Sequence, residues 1–113
     1  MELISQLIEA EAGNQSLTGK RLVCDVILNR LRDGRFGGSV EEIIFMDKPL
    51  QFSVTKNGAW EKAAYNMMSS DYVAVSLEFT EGQLNTEVLY FNCGGYVKGT
   101  TPLFKEGDHY FSK

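Results

Sequence analysis

Apolar residues recur at intervals of three and four through most of the first eighty positions, and short alternating runs take over only after Gly82. A chain patterned this way must bury helix faces first and can add only a small sheet late in its length. Leu3, Ile4, Leu7 and Ile8 share one face of a helix over residues 2–12, stopped by Gly13-Asn14. A second helix is expected over about 17–32, where Leu22, Val23, Val26, Ile27 and Leu31 form a wide stripe ended by Asp33-Gly34. Ser39, three residues before Glu42, resembles a capping box that opens a short helix carrying Ile43, Ile44 and Phe45, closed by Pro49. The alternation from Leu50 to Thr55 predicts an extended or hairpin-like stretch bounded by Asn57-Gly58. Ala59 to Phe79 reads as helix again, with a break at Ser69-Ser70-Asp71 where Asp71 caps the second half. Val88–Phe91 and His109–Phe111 predict two short strands flanking a Gly-rich loop from Gly94 to Gly107. The expected fold class is α+β, mostly helical, with a small antiparallel sheet late in the chain.

Composition narrows the functions available. The 113 residues, 43% of them hydrophobic, suit one domain over 1–113 with a modest core. A net charge of −4 without any basic run leaves no footprint for nucleic acid, which is held by clustered Lys and Arg. The first eleven positions hold the acids Glu2, Glu9 and Glu11 and no base, so neither a signal peptide nor a membrane span is expected, and the export route stays open. Cys24 and Cys93 are expected to be structural thiols, and one histidine without a CxxC pair implies neither metal nor other cofactor. His109, alone at a strand start, is expected to be structural, and the chain to be a monomer.

One acidic residue breaks the helical pattern. The apolar positions of the first helix span an arc of roughly 140°, and Glu11 falls at roughly 80°, inside that arc, with Glu9 opposite and facing solvent. A carboxylate on an apolar face loses hydration, which raises its pKa and keeps it protonated closer to neutral pH. A protonated carboxyl suits an acid that delivers a proton to a leaving sugar oxygen. The competing reading places Glu11 half exposed at the helix end, partnered by Arg30 or Lys20.

Five segments, taken in order, carry a resemblance. Ala10-Glu11-Ala12, Val26-Ile27-Leu28-Asn29-Arg30-Leu31, Gln51-Phe52-Ser53, Tyr90-Phe91-Asn92 and Gly107-Asp108-His109-Tyr110-Phe111 follow one another as in the SleB/CwlJ-type cell wall hydrolases. The chain resembles that family over nearly its whole length. The resemblance implies a fold like that of lysozyme and lytic transglycosylases, cleavage of peptidoglycan glycan strands at the cell wall or spore cortex, and Glu11 as the catalytic acid. One departure is plain: the family usually reads Glu-Ala-Arg-Gly-Glu where this chain has Glu11-Ala12-Gly13-Asn14-Gln15, so the acidic partner one turn on is missing. Gln51, Ser53, Tyr90 and Asn92 are the expected substrate-binding residues. An amide at Gln51 can donate to and accept from an N-acetyl group, and lytic transglycosylases carry a comparable glutamine near their acid. Tyr90 and Asn92 alternate with Phe91, so an inward Phe91 turns both toward a cleft on the opposite side. Arg30 is assigned to the scaffold.

The acids remaining after Glu11 decide the expected mechanism. Glu41 and Glu42 open a helix, Asp71 caps one, and Glu106 and Asp108 sit in or beside a loop, so the pattern demands no second catalytic acid. A lytic transglycosylase, in which the substrate's own 6-hydroxyl attacks, is therefore favoured over a hydrolytic muramidase. A non-catalytic peptidoglycan-binding module is the third reading, with Trp60, Tyr65, Tyr90 and Tyr96 as sugar platforms. Spore, phage and vegetative roles all remain open.

Overall fold

The computed structural model describes residues 2–47 and 51–113. The described residues form α1 (Glu2–Ala12), α2 (Leu17–Asp33), α3 (Val40–Phe45), a turn of 3-10 helix (Ser53–Thr55), α4 (Ala59–Asn66), α5 (Ser69–Thr80), β1 (Tyr90–Asn92), β2 (Pro102–Glu106) and β3 (His109–Ser112). Local chemistry fixes most of these boundaries. Ser16 Oγ accepts from the Gly19 N–H at 3.2 Å to open α2, and Gly34, at φ 87°, closes it by donating to the Arg30 carbonyl at 3.1 Å. Ser39 Oγ accepts from the Glu42 N–H at 3.1 Å, while the Glu42 carboxylate reaches back one residue further than a capping box, to the Gly38 N–H.

α2 runs through the middle of the fold. Its apolar residues Val23, Cys24 and Ile27 join Ile4, Leu7, Ile8 and Ala12 of α1, Ile43 and Ile44 of α3, and Ala74 and Val75 of α5 in the main core. Leu22 and Val26 join Val88 and Phe111 in a second cluster beneath the sheet. α2 also buries a polar stripe whose members are matched one by one. Arg21 pairs with Glu78 at 2.7 Å and donates to the Gly82 carbonyl at 2.9 Å. Asp25 accepts from the Asn85 N–H at 3.0 Å, and Asn29 donates to the Val88 carbonyl at 2.8 Å. These bonds tie down the irregular connection from α5 to β1, so α2 positions the sheet.

The sheet is antiparallel in the order β1-β3-β2, with Phe91 opposite Phe111 and Glu106 opposite His109. β2 lies inside the stretch expected to be loop. Pro102 and the charged Lys105 and Glu106 mask it, and the strand forms because Gly107-Asp108 turns the chain back onto β3 and Phe104 stacks on Phe111 at 5.4 Å. Residues 51–55 are not extended as expected. The Thr55 N–H and Oγ1 both bond the Phe52 carbonyl, curling the chain into a turn while Phe52 and Val54 still point into the core. Leu50 and Pro49 lie outside the described residues. The break between α4 and α5 falls at Met67-Met68, and Asp71 secures α5 from its third position by accepting the Met68 N–H at 2.9 Å.

Candidate active site

The C-terminal end of α1, the start of the 3-10 turn and the ends of β1 and β3 enclose a cleft of about 240 Å³. Glu11, Gln51, Phe52, Ser53, Phe91, Asn92, Cys93 and His109 line it. Two wider surface hollows, of about 520 and 490 Å³, lie elsewhere, and their carboxylates are accounted for by a helix start, by the Lys56–Asp47 pair or by the Arg21 ion pair. Glu11 is the lining carboxyl with the chemistry of an acid. Burial alone pushes its pKa up to about 7. The two cations that might have neutralised it are engaged elsewhere. Lys20 pairs with Asp71 at 3.0 Å and bonds Ser70 Oγ, and Arg30 bonds the Leu89 carbonyl at 2.7 Å.

Glu9 does not face solvent as expected. It is half-buried, with Oε1 enclosed and lacking a hydrogen-bond donor, and its pKa is raised by burial and by the neighbouring Asp71 carboxyl. The reason lies in how α1 packs, since α5 and α4 cover the side of α1 that an amphipathic helix on a surface would leave wet. The first helix therefore carries two carboxyls of raised pKa, Glu11 in this cleft and Glu9 at a separate, smaller hollow of about 150 Å³.

Gln51, Ser53 and Asn92 come together in the cleft with Glu11, and Tyr90 does not. Tyr90 instead stands edge-on to Phe36 at 5.7 Å, with the Arg30 guanidinium 5.3 Å from its ring centre. Phe91 does point inward as expected, but the cleft opens on that same inner side, between Phe52 and His109. Asn92 reaches it from the end of the strand, its Nδ2 donating to the Gly95 carbonyl at 3.0 Å.

Two further residues were not assigned to the cleft from the sequence. Cys93 is an exposed free thiol in the wall, whereas Cys24 is a buried one. His109 is 1% exposed, edge-on to Phe91 at 5.1 Å, and neither ring nitrogen has a hydrogen-bond partner. It faces the Glu11 backbone outside hydrogen-bonding geometry, and burial lowers its pKa, which favours the neutral imidazole. The signal for both lay in the motifs, since Cys93 directly follows Tyr90-Phe91-Asn92 and His109 opens His109-Tyr110-Phe111, but that the two segments pair as neighbouring strands emerges only from the structure.

Asp108 sits beside the cleft on the β2–β3 turn. Gln15 Nε2 donates to its carboxylate at 2.9 Å, and its N–H donates to Gln15 Oε1 at 3.0 Å. Gly107, at φ 58°, permits this clasp, because a Cβ there would run into Gln15 Oε1. Among the sugar-platform candidates, Trp60 packs edge-on to Phe45 at 5.0 Å and Tyr90, half-buried, packs edge-on to Phe36, leaving Tyr65, 90% exposed, and Tyr96 at the surface.

Comparison with curated protein sequences returns no significant match. Among solved structures, the chain is similar to the catalytic domain of the germination-specific lytic transglycosylase SleB from Bacillus anthracis. The TM-score is 0.80 at 21% identity, covering 99% of this chain and 92% of that one. At that identity the likeness shows the fold: a mostly helical domain with a small late sheet. The cell wall hydrolase family model matches residues 14–111, which hold every lining residue of the cleft except Glu11. By that match across most of its length, the chain belongs to the cell wall hydrolase family.

Proposed function

We propose that this cell wall hydrolase cleaves the β-1,4 bond between N-acetylmuramic acid and N-acetylglucosamine in peptidoglycan strands, as a lytic transglycosylase with Glu11 as acid and base. The observation that carries the reading is a desolvated carboxyl in a cleft, held near pKa 7 without a cation partner among the described residues. In the first half of the reaction the Glu11 carboxyl gives its proton to the leaving glycosidic oxygen as the C1–O bond breaks. The resulting carboxylate then takes the proton of the muramyl 6-hydroxyl, whose oxygen closes on C1 to form the 1,6-anhydro ring. Glu11 ends protonated, and no water is consumed.

Hydrolysis with the same acid is the second reading, and one observation favours it. Gln15 fixes Asp108 beside the cleft, and the pKa of the Cys93 thiol in its wall is raised first by burial and then by the nearby Glu11 and Asp108 carboxylates. The experiment is a digest of purified peptidoglycan, half of it treated with borohydride, followed by mass spectrometry. Transglycosylase products are about 18 Da lighter than hydrolysed ones and have no reducing end to reduce. Reducible muramic ends would transfer the second role to Asp108, and intact glycan with cleaved peptides would sink both readings. Glu11→Gln must abolish lysis while the circular dichroism spectrum is kept.

A further inference from the structure

Two walls of the cleft belong to different parts of the fold. Glu11 lies at the end of α1, which packs on the helices α2, α3, α4 and α5, whereas His109 opens β3, which pairs with β1 and β2. Gln15 bridges them. It stands in the turn between α1 and α2, and its partner Asp108 immediately precedes His109. Both ends of the Gln15 amide are engaged: Nε2 donates to Asp108 Oδ2 at 2.9 Å and to Asn14 Oδ1 at 2.9 Å, and Oε1 accepts the Asp108 N–H at 3.0 Å. An amide offers the donor that the carboxylate needs and the acceptor that the N–H needs, which neither a carboxylate nor an ammonium does. Asp108 is exposed, and bonds at the surface exchange for water at little cost, so this clasp adds little to global stability. What it fixes is the spacing of two cleft groups that lie far apart in the chain.

We propose that Gln15 is a positioning residue of the active site: by clasping the Gly107-Asp108 turn it holds the start of β3 against the end of α1 and keeps water from between Glu11 and His109. The inference rests on the reading of Glu11 as the acid and names the contact that preserves its acidity range. Burial alone raises the Glu11 pKa, and burial is the largest cause of the lowered His109 pKa, so water admitted between the walls moves the two in opposite directions. The other titratable groups beside them are Cys93, just after β1, and Asp108 on the turn.

The test follows both titrations by NMR in the full chain. Glu11 is assigned by its absence from the Glu11→Gln chain, and His109 is the single histidine of the sequence. Gln15→Ala removes both halves of the clasp without changing charge, and Gly107→Ala drives Oε1 away from the opposite side. In each variant the Glu11 pKa should fall and the His109 pKa should rise by at least about 0.5, about threefold in each protonation equilibrium. Wall lysis at pH 7.5 should drop by about the same factor, with melting temperatures lowered by a few degrees at most. The double variant Gln15→Glu/Asp108→Asn lets amide and carboxylate change places at wild-type net charge, so it should bring both pKa values back close to wild type. Unmoved titrations in a folded Gln15→Ala or Gly107→Ala chain would overturn the inference and leave glycan cleavage standing. So would shifts of the same sign, or a double variant that restores neither. Shifted titrations with undiminished lysis would instead overturn Glu11 as the acid, and the inference with it.

Discussion

Replacing the proposed acid should stabilise the protein at alkaline pH while removing its activity. The Glu11 pKa rises from 4.5 to about 7 on folding, which corresponds to about 3 kcal/mol of preference for the protonated form. Because the folded value lies above the unfolded one, this stability is fully present below about pH 4.5 and is lost as pH rises through about 7. Above pH 8 the wild type must hold a bare carboxylate in the cleft. Glu11→Gln removes that term, but it keeps a buried polar amide whose own desolvation costs about 1–2 kcal/mol. The variant should therefore gain about 1–2 kcal/mol at pH 8.5, or roughly 4–8 °C in melting temperature for a domain of this size, and lose about 1–2 kcal/mol at pH 4.5, where the wild-type carboxyl is already protonated. Thermal melts followed by circular dichroism across that range measure the difference, in which titrations common to both chains cancel. A melting difference that does not change with pH would refute the reasoning, because it would mean that the Glu11 carboxyl titrates alike in the folded and unfolded chains. A variant less stable than wild type at pH 8.5 would refute it equally.

Three other outcomes follow from the same contacts. The rate of wall lysis should fall about tenfold per pH unit above about 7, as Glu11 loses the proton it must give, in a pH–rate profile at saturating substrate. Glu9→Gln should leave lysis unchanged yet raise the melting temperature by a few degrees at pH 8 and not at pH 4.5, since the raised pKa of Glu9 likewise takes stability away as pH climbs. Tyr90→Phe should leave lysis rates near wild type, because Tyr90 packs edge-on to Phe36 and beside Arg30 outside the cleft, whereas Gln51→Ala and Asn92→Ala should cut rates at least about tenfold, and Gln51→Ala should also lower the melting temperature because it removes the acceptor of the buried Arg30.

The sequence foretold different parts of the structure unequally, for physical reasons. α1 and α2 were legible to within a residue because their apolar faces, the Ser16 cap and the Gly34 stop act locally. Glu11 was legible as a carboxyl on the inward arc of α1, because periodicity states which positions share a face. It does not state how many faces the neighbours will cover, and so Glu9 was misplaced. β2 was hidden because its strand character comes from pairing with β3 across a tight turn, which no pattern within Pro102–Glu106 records. For Tyr90 the alternation was read correctly, and the error lay in which side of the sheet holds the cleft. Arg30 was rightly assigned to the scaffold, but its bond to Gln51 spans 21 positions and leaves no trace in spacing.

The polar stripe of α2 has a bearing on how freely that helix could move during evolution. A helix seated only by apolar contacts can turn or slide a few degrees as its neighbours drift, since Leu, Ile and Val side chains repack with modest loss. Arg21, Asp25 and Asn29 stand one turn apart, and each is bonded to α5 or to the connection that follows it. A slip of one residue would leave a buried cation, a buried carboxylate and a buried amide all without partners, at several kcal/mol. The stripe works as a lock with three pins. It allows the core around α2 to vary while keeping the helix at a single rotation, and Arg30, one position beyond the last pin, inherits that fixed aim toward Gln51.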